Sequence, residues 1–129
     1  MSDKSIVQKL FLKEGQSFLL LDPPEGYLAL LGDLPAGATL LTQLDGPADV
    51  IQCFTTTKAG LIDLAPRLKT ALKPKGILWV TNPKGASHVK PDVNRDILRE
   101  IVIGFGLETV ALFSVDETWS AMRLRVVSS

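Results

Sequence analysis

Carboxylates, hydroxyls, a lysine and an indole appear wherever this chain leaves an apolar run. Gathered in one place, those types make a pocket for a small polar ligand. Asp22 and Glu25 flank two prolines after the run Phe18–Leu21, and Thr55, Thr56 and Thr57 follow Val50–Phe54. Asn82, Lys84 and His88 come after Ile77–Thr81, and Asp116, Glu117 and Trp119 sit between Val110–Val115 and Ala121–Val127. The ligand-binding set read from these positions is Asp22, Glu25, Thr55, Thr57, Lys84, Asp116, Glu117 and Trp119. No catalytic group is assigned.

Each of these residues also has an ordinary duty to be weighed against binding. Asp22 suits the turn that follows it, and Thr57 is a sensible N-cap for the helix that begins next. Lys84 and Lys90 fall in a polar loop, where a solvated ammonium is the default. Asp116 and Glu117 are adjacent, and neighbouring strand residues point to opposite faces. They therefore make a poor acid–base pair. One histidine, His88, and one cysteine, Cys53, leave no basis for a His/Cys metal cluster or for a disulfide within the chain. Cys53 lies inside an apolar run and reads as a small core residue.

Composition narrows the classes further. The chain has 129 residues, 46% of them hydrophobic, with 14 basic and 14 acidic side chains. That is enough for one domain with its own core. Balanced charge without a basic stripe argues against nucleic acid. No apolar stretch approaches the ~20 residues that span a bilayer, and MSDKSIVQKL lacks the regions of a signal peptide. A cytoplasmic protein is expected, with a small polar ligand or a protein as its partner.

The elements that must position the candidate residues follow from periodicity and punctuation. Ser5–Leu12 reads as a short helix and Phe18–Leu21 as a strand buried on both faces. Tyr27–Leu31 reads as a helix stopped by Gly32, then Ala38–Leu44 and Val50–Phe54 as strands. The turn between those two strands is too short for neighbouring parallel strands. They are hairpin partners or lie apart, and the arrangement preferred here sets the first strand between them.

Lys58–Lys73 carries Leu61, Leu64, Ala65, Leu68 and Leu72 at helical spacing, with Pro66 expected to kink or restart the helix. Lys-Pro-Lys-Gly then reads as a tight turn into the strand Ile77–Thr81. A last helix buries Val93, Ile97, Leu98, Ile101 and Phe105, and Val110–Val115 with Ala121–Val127 closes the chain as a strand pair. The sum is a single α/β domain over residues 1–129, with a Rossmann-like, mostly parallel sheet of about six strands and helices on both faces. In such sheets ligands bind beyond the carboxyl ends of the strands, which is where the candidate residues fall. An uncovered sheet edge makes a homo-oligomer possible.

Asp49-Val50-Ile51, the run LKPKGILWV (72–80), the GFG segment and the final strand pair resemble the second half of class I S-adenosylmethionine-dependent methyltransferases. Over its whole length the chain looks more like a family of small bacterial proteins with a trimmed methyltransferase-like core. PEGYLALLG, GPADVIQCF and VDETWSAMRL carry that likeness. The resemblance implies a methyltransferase-like fold ending in an antiparallel strand pair, and little about chemistry.

Three departures set this chain against an active methyltransferase. The family's glycine-rich turn after the first strand is replaced by Asp22-Pro23-Pro24-Glu25-Gly26. Asp45, in the place of the ribose-binding acid, is followed at once by Gly46-Pro47. The strand and helix that usually precede the "aDvI" strand have no counterpart here. The expectation is a non-catalytic ligand-binding or interaction domain with no cofactor. The alternative is a small-molecule methyltransferase using S-adenosylmethionine, with Asp22 near the methionine end and Asp45 on the ribose.

Overall fold

The computed structural model describes residues 5–44, 47–83, 95–116 and 118–127. Its elements run α1 (Ile6–Lys9), β1 (Ser17–Leu21), α2 (Tyr27–Leu31), β2 (Thr39–Leu41), β3 (Ala48–Phe54), α3 (Lys58–Ala71), β4 (Leu72–Pro83), α4 (Arg95–Ile103), β5 (Leu107–Ser114) and β6 (Trp119–Val126). Phe18 to Leu21 are all buried, and a strand buried on both faces needs cover on both sides. Phe18 and Leu20 share an apolar cluster with Val7 of α1 and with Tyr27 and Leu31 of α2. Leu19 and Leu21 face the other layer, which contains Leu61 and Leu68 of α3 and Leu98 and Val102 of α4.

The sheet has six strands in the order β2-β1-β3-β4-β6-β5. β2, β1, β3 and β4 run parallel, while β6 is antiparallel to both of its neighbours. Residues 42–47 alone join β2 to β3, a connection too short for adjacent parallel strands. β1 accordingly lies between them, the arrangement preferred from the sequence.

Two local expectations change. Pro66 neither breaks nor restarts α3, which runs as one helix over Lys58–Ala71. The bond that Pro66 cannot make is the one to the Ile62 carbonyl, and both residues lie on the exposed side of the helix. Water can replace the missing partner there. The Lys-Pro-Lys-Gly segment also differs in form: α3 passes straight into β4 at Leu72, and the tight turn is a bulge inside the strand and not a connection before it.

A register shift between Ala48 and Val50, with Lys75 at φ 66°, absorbs the change of direction. Gly76 makes this close approach possible. A Cβ there would lie 2.8 Å from the Lys73 carbonyl and 3.0 Å from that of Asp49. The last helix differs in detail as well: Val102 joins Leu98 in the core, Ile97, Ile101 and Phe105 are half-buried, and Val93 lies outside the described residues.

Asp49 pins the amino-terminal ends of three strands together. Its Oδ2 accepts the Ser17 N–H at 2.9 Å and the Ser17 hydroxyl at 3.2 Å, and Lys73 Nζ lies 3.3 Å away. The Ser17 backbone donor, with Lys73 beside it, holds this carboxyl below the usual carboxylate range. On the α1 side, the Trp79 indole N–H donates to the Leu10 carbonyl at 3.1 Å and ties the amino-terminal segment to the centre of the sheet. No helix among the described residues is long and apolar enough to cross a membrane.

Candidate functional site

A cleft of about 330 Å³ opens above the carboxyl ends of β1 and β3, the position where open α/β sheets take their ligands. Asp22 and Pro24 form one lip, just beyond β1. Asp22 adopts φ 53°, a left-handed backbone that Asp tolerates better than most residues. Thr55, Thr56 and Thr57 line the floor as the chain leaves β3, and Gly60 and Leu64 bring in the first turns of α3. Phe54 and Trp119 close the far side. Their rings meet edge to face, with centroids 5.1 Å apart, a favoured aromatic geometry.

The threonines are held by their own hydrogen bonds. The Thr55 N–H donates to the Thr81 carbonyl at 3.0 Å and carries the β3–β4 ladder past Phe54. The Thr55 hydroxyl donates to the Thr57 carbonyl at 3.1 Å. Thr57 caps α3 by accepting the Gly60 N–H at 3.0 Å. A Cβ on Gly60 would come within 2.9 Å of that hydroxyl oxygen, so the cap and the cleft floor depend on the same missing side chain.

Beneath the aromatic wall runs a buried polar chain. Tyr27 donates to Gln52 Oε1 at 2.6 Å, and Gln52 Nε2 donates to the Thr81 hydroxyl at 3.0 Å. The buried polar side chains Gln52, Thr55, Thr81 and Asn82 all sit at the carboxyl ends of β3 and β4. Burial drives the Tyr27 phenol far above its ordinary value; the Gln52 hydrogen bond opposes the shift, and the Asp116 charge adds to it. Tyr27 is therefore a neutral donor. Cys53 is fully buried, and burial, reinforced by the Asp22 charge, pushes its thiol up to about 12. A thiol so placed is no nucleophile.

Several solved structures share this architecture. A methyltransferase dependent on S-adenosylmethionine from Aquifex aeolicus superposes with a TM-score of 0.66 at 15% identity, covering 95% of this chain and 88% of that one. A TehB-like S-adenosylmethionine-dependent methyltransferase from Corynebacterium glutamicum gives 0.62 at 15% identity, over 94% and 85% of the two chains. The DhpI complex with S-adenosylhomocysteine gives 0.65 at 12% identity, over 97% and 83%. The fold is that of the class I methyltransferases. No family model matches the sequence, and no curated protein matches it in sequence.

On this methyltransferase fold, Asp22, Thr55, Thr57 and Trp119 come together around one cleft. Glu25 is exposed on the turn before α2 and lies outside the lining. Asp116 serves the β5–β6 turn: its Oδ1 accepts the N–H groups of Thr118 and Trp119, both at 2.8 Å. It thereby fixes the start of the strand that delivers the indole. Lys84, His88, Glu117 and Asp45 lie outside the described residues.

Sequence reasoning missed Phe54, Gly60 and Leu64 as lining, and the Tyr27–Gln52–Thr81 chain altogether. Gln52 offered a signal, as a lone amide inside the apolar run Val50–Phe54. Among the described residues no three His, Cys, Asp or Glu side chains converge to hold a metal ion.

Proposed function

We propose that this domain binds a small polar ligand in the cleft above β1 and β3 and does not transfer methyl groups. The corner after β1 carries this reading. Pro23 and Pro24 present no N–H and hold φ near −65°, and Asp22 occupies the left-handed position with a side chain in place. A cofactor cradle at this point calls for donors and close backbone approach. These residues do not fit that demand. The cleft instead offers one carboxylate, three threonines and an aromatic wall, the mixture of apolar surface and few polar groups that small-ligand sites use.

The rival reading is a small-molecule methyltransferase using S-adenosylmethionine. The shared fold and the S-adenosylhomocysteine bound to DhpI support it. Calorimetric and thermal-shift titrations with S-adenosylmethionine and S-adenosylhomocysteine separate the two. A ligand that binds only the native state raises apparent stability. Saturable stabilisation at micromolar cofactor supports the methyltransferase, and no shift at millimolar cofactor supports the binding domain.

A further inference from the structure

The edge of the sheet farthest from the cleft carries several exposed apolar side chains. Ile103 at the end of α4 is 59% exposed, and Val110 and Leu112 on β5 are 44% and 45% exposed. Between α4 and β5 lies a groove of about 490 Å³, with Asp96 and Arg99 on one wall, Val110 and Leu112 on the other and Met122 at its base. Residues 96, 99 and 103 share one face of α4, so the charges and the apolar stripe are continuous. Exposed apolar side chains grouped along one edge and rimmed by charges are a feature of association surfaces.

Both charges in this groove are exposed. Neither Asp96 nor Arg99 forms an ion pair among the described residues. An acid and a base set side by side are self-complementary under two-fold symmetry, because an isologous interface pairs residue i with j and j with i. We propose that a second copy of this chain docks on the α4–β5 groove, Asp96 of each protomer meeting the partner's Arg99.

Val110 and Leu112 pack at the centre of this contact. The register shift between Thr109 and Ala111 marks a bulge in the pairing of β5 with β6, and bulges on an edge strand discourage strand addition. The contact is therefore made by side chains across the groove, not by extension of the sheet. The opposite edge, β2, has only three residues.

Sedimentation equilibrium on the full chain tests this, with near-ultraviolet dichroism and thermal unfolding to show that each variant is folded. The wild type is expected to dimerise reversibly with concentration. Asp96→Arg and Arg99→Asp each weaken association by about tenfold, through two like-charge contacts per dimer. An equimolar mixture of the two variants recovers wild-type affinity, because every cross-contact is then attractive again. Ile62→Ser, at an exposed apolar site on α3, leaves association unchanged. A wild type that stays monomeric at every concentration overturns the proposal. So does a mixture that fails to recover, or an Ile62→Ser effect as large as those of the charge variants.

Discussion

The Tyr27 hydroxyl donates to Gln52 Oε1 at 2.6 Å across the layer that separates α2 from the sheet. Both residues are buried, and Tyr27 also packs edge to face against Phe54, with centroids 4.7 Å apart. One short helix is thereby tied to the wall of the cleft by a hydrogen bond and a ring contact together.

Removing only the hydroxyl isolates the bond. Tyr27→Phe leaves Gln52 Oε1 buried without its donor, which costs about 1–3 kcal/mol. Urea unfolding is expected to show a lower midpoint with an unchanged slope. A midpoint equal to wild type would mean that water or another donor replaces the phenol.

Gly76→Ala tests the approach of β4 to β3. The added methyl meets two carbonyl oxygens and the Leu72 side chain at 3.0 Å or less. Backbone cannot move aside as a side chain can, so the loss is expected to be about 2 kcal/mol or more. Gly60→Ala makes the contrast, since it presses on the Thr57 hydroxyl and risks one N-cap, worth about 1 kcal/mol. Thermal unfolding of the two variants is expected to rank them in that order.

Asp49 predicts a pH dependence of known sign. Its carboxyl titrates lower in the folded protein than in the unfolded chain, so the unfolded state takes up the proton first. The stabilisation is therefore complete above the unfolded carboxylate value and disappears as pH falls below about 4 through the folded one. Asp49→Asn is expected to be less stable than wild type at neutral pH, with the gap closing in acid. A gap that stays constant from pH 7 to about pH 2 would show that the lost stability is not electrostatic.

Trp119→Ala distinguishes the fold from the site. Its indole is half-buried at the cleft and leans on Phe54. Truncation is expected to leave the domain cooperatively folded while abolishing the response of Thr55 and Thr57 amide signals to a cleft ligand. A variant that fails to fold, rescued by Trp119→Phe with ligand response intact, would assign the indole to packing alone.

Much of the fold was legible because it rests on short-range rules. Tyr27–Leu31 ends at Gly32 and begins where the Asp-Pro-Pro corner releases the chain. The short 42–47 connection ruled out adjacent parallel strands and left two arrangements, of which the preferred one, β1 between β2 and β3, is the one observed. What escaped were effects of contact between distant segments. Residues 72–76, with Lys75 at φ 66°, belong to β4 through their place beside Ala48 and Asp49 of β3. The cleft was legible as the ends of two strands, but Leu64 and Gly60 face it through the rotation of α3, which apolar spacing does not distinguish from simple burial.

The passage from α3 into β4 keeps its spare length inside the strand. Two steps along β3, from Ala48 to Val50, face five along β4, from Leu72 to Ile77, so residues 73–76 form a bulge outside the regular ladder. Past Ile77 the strand alternates its faces with every residue, turning Trp79 to the α1 layer and Leu78 and Val80 to the α3 layer. An insertion or deletion among residues 73–76 is therefore absorbed before it reaches the core, whereas one after Ile77 would exchange the two faces.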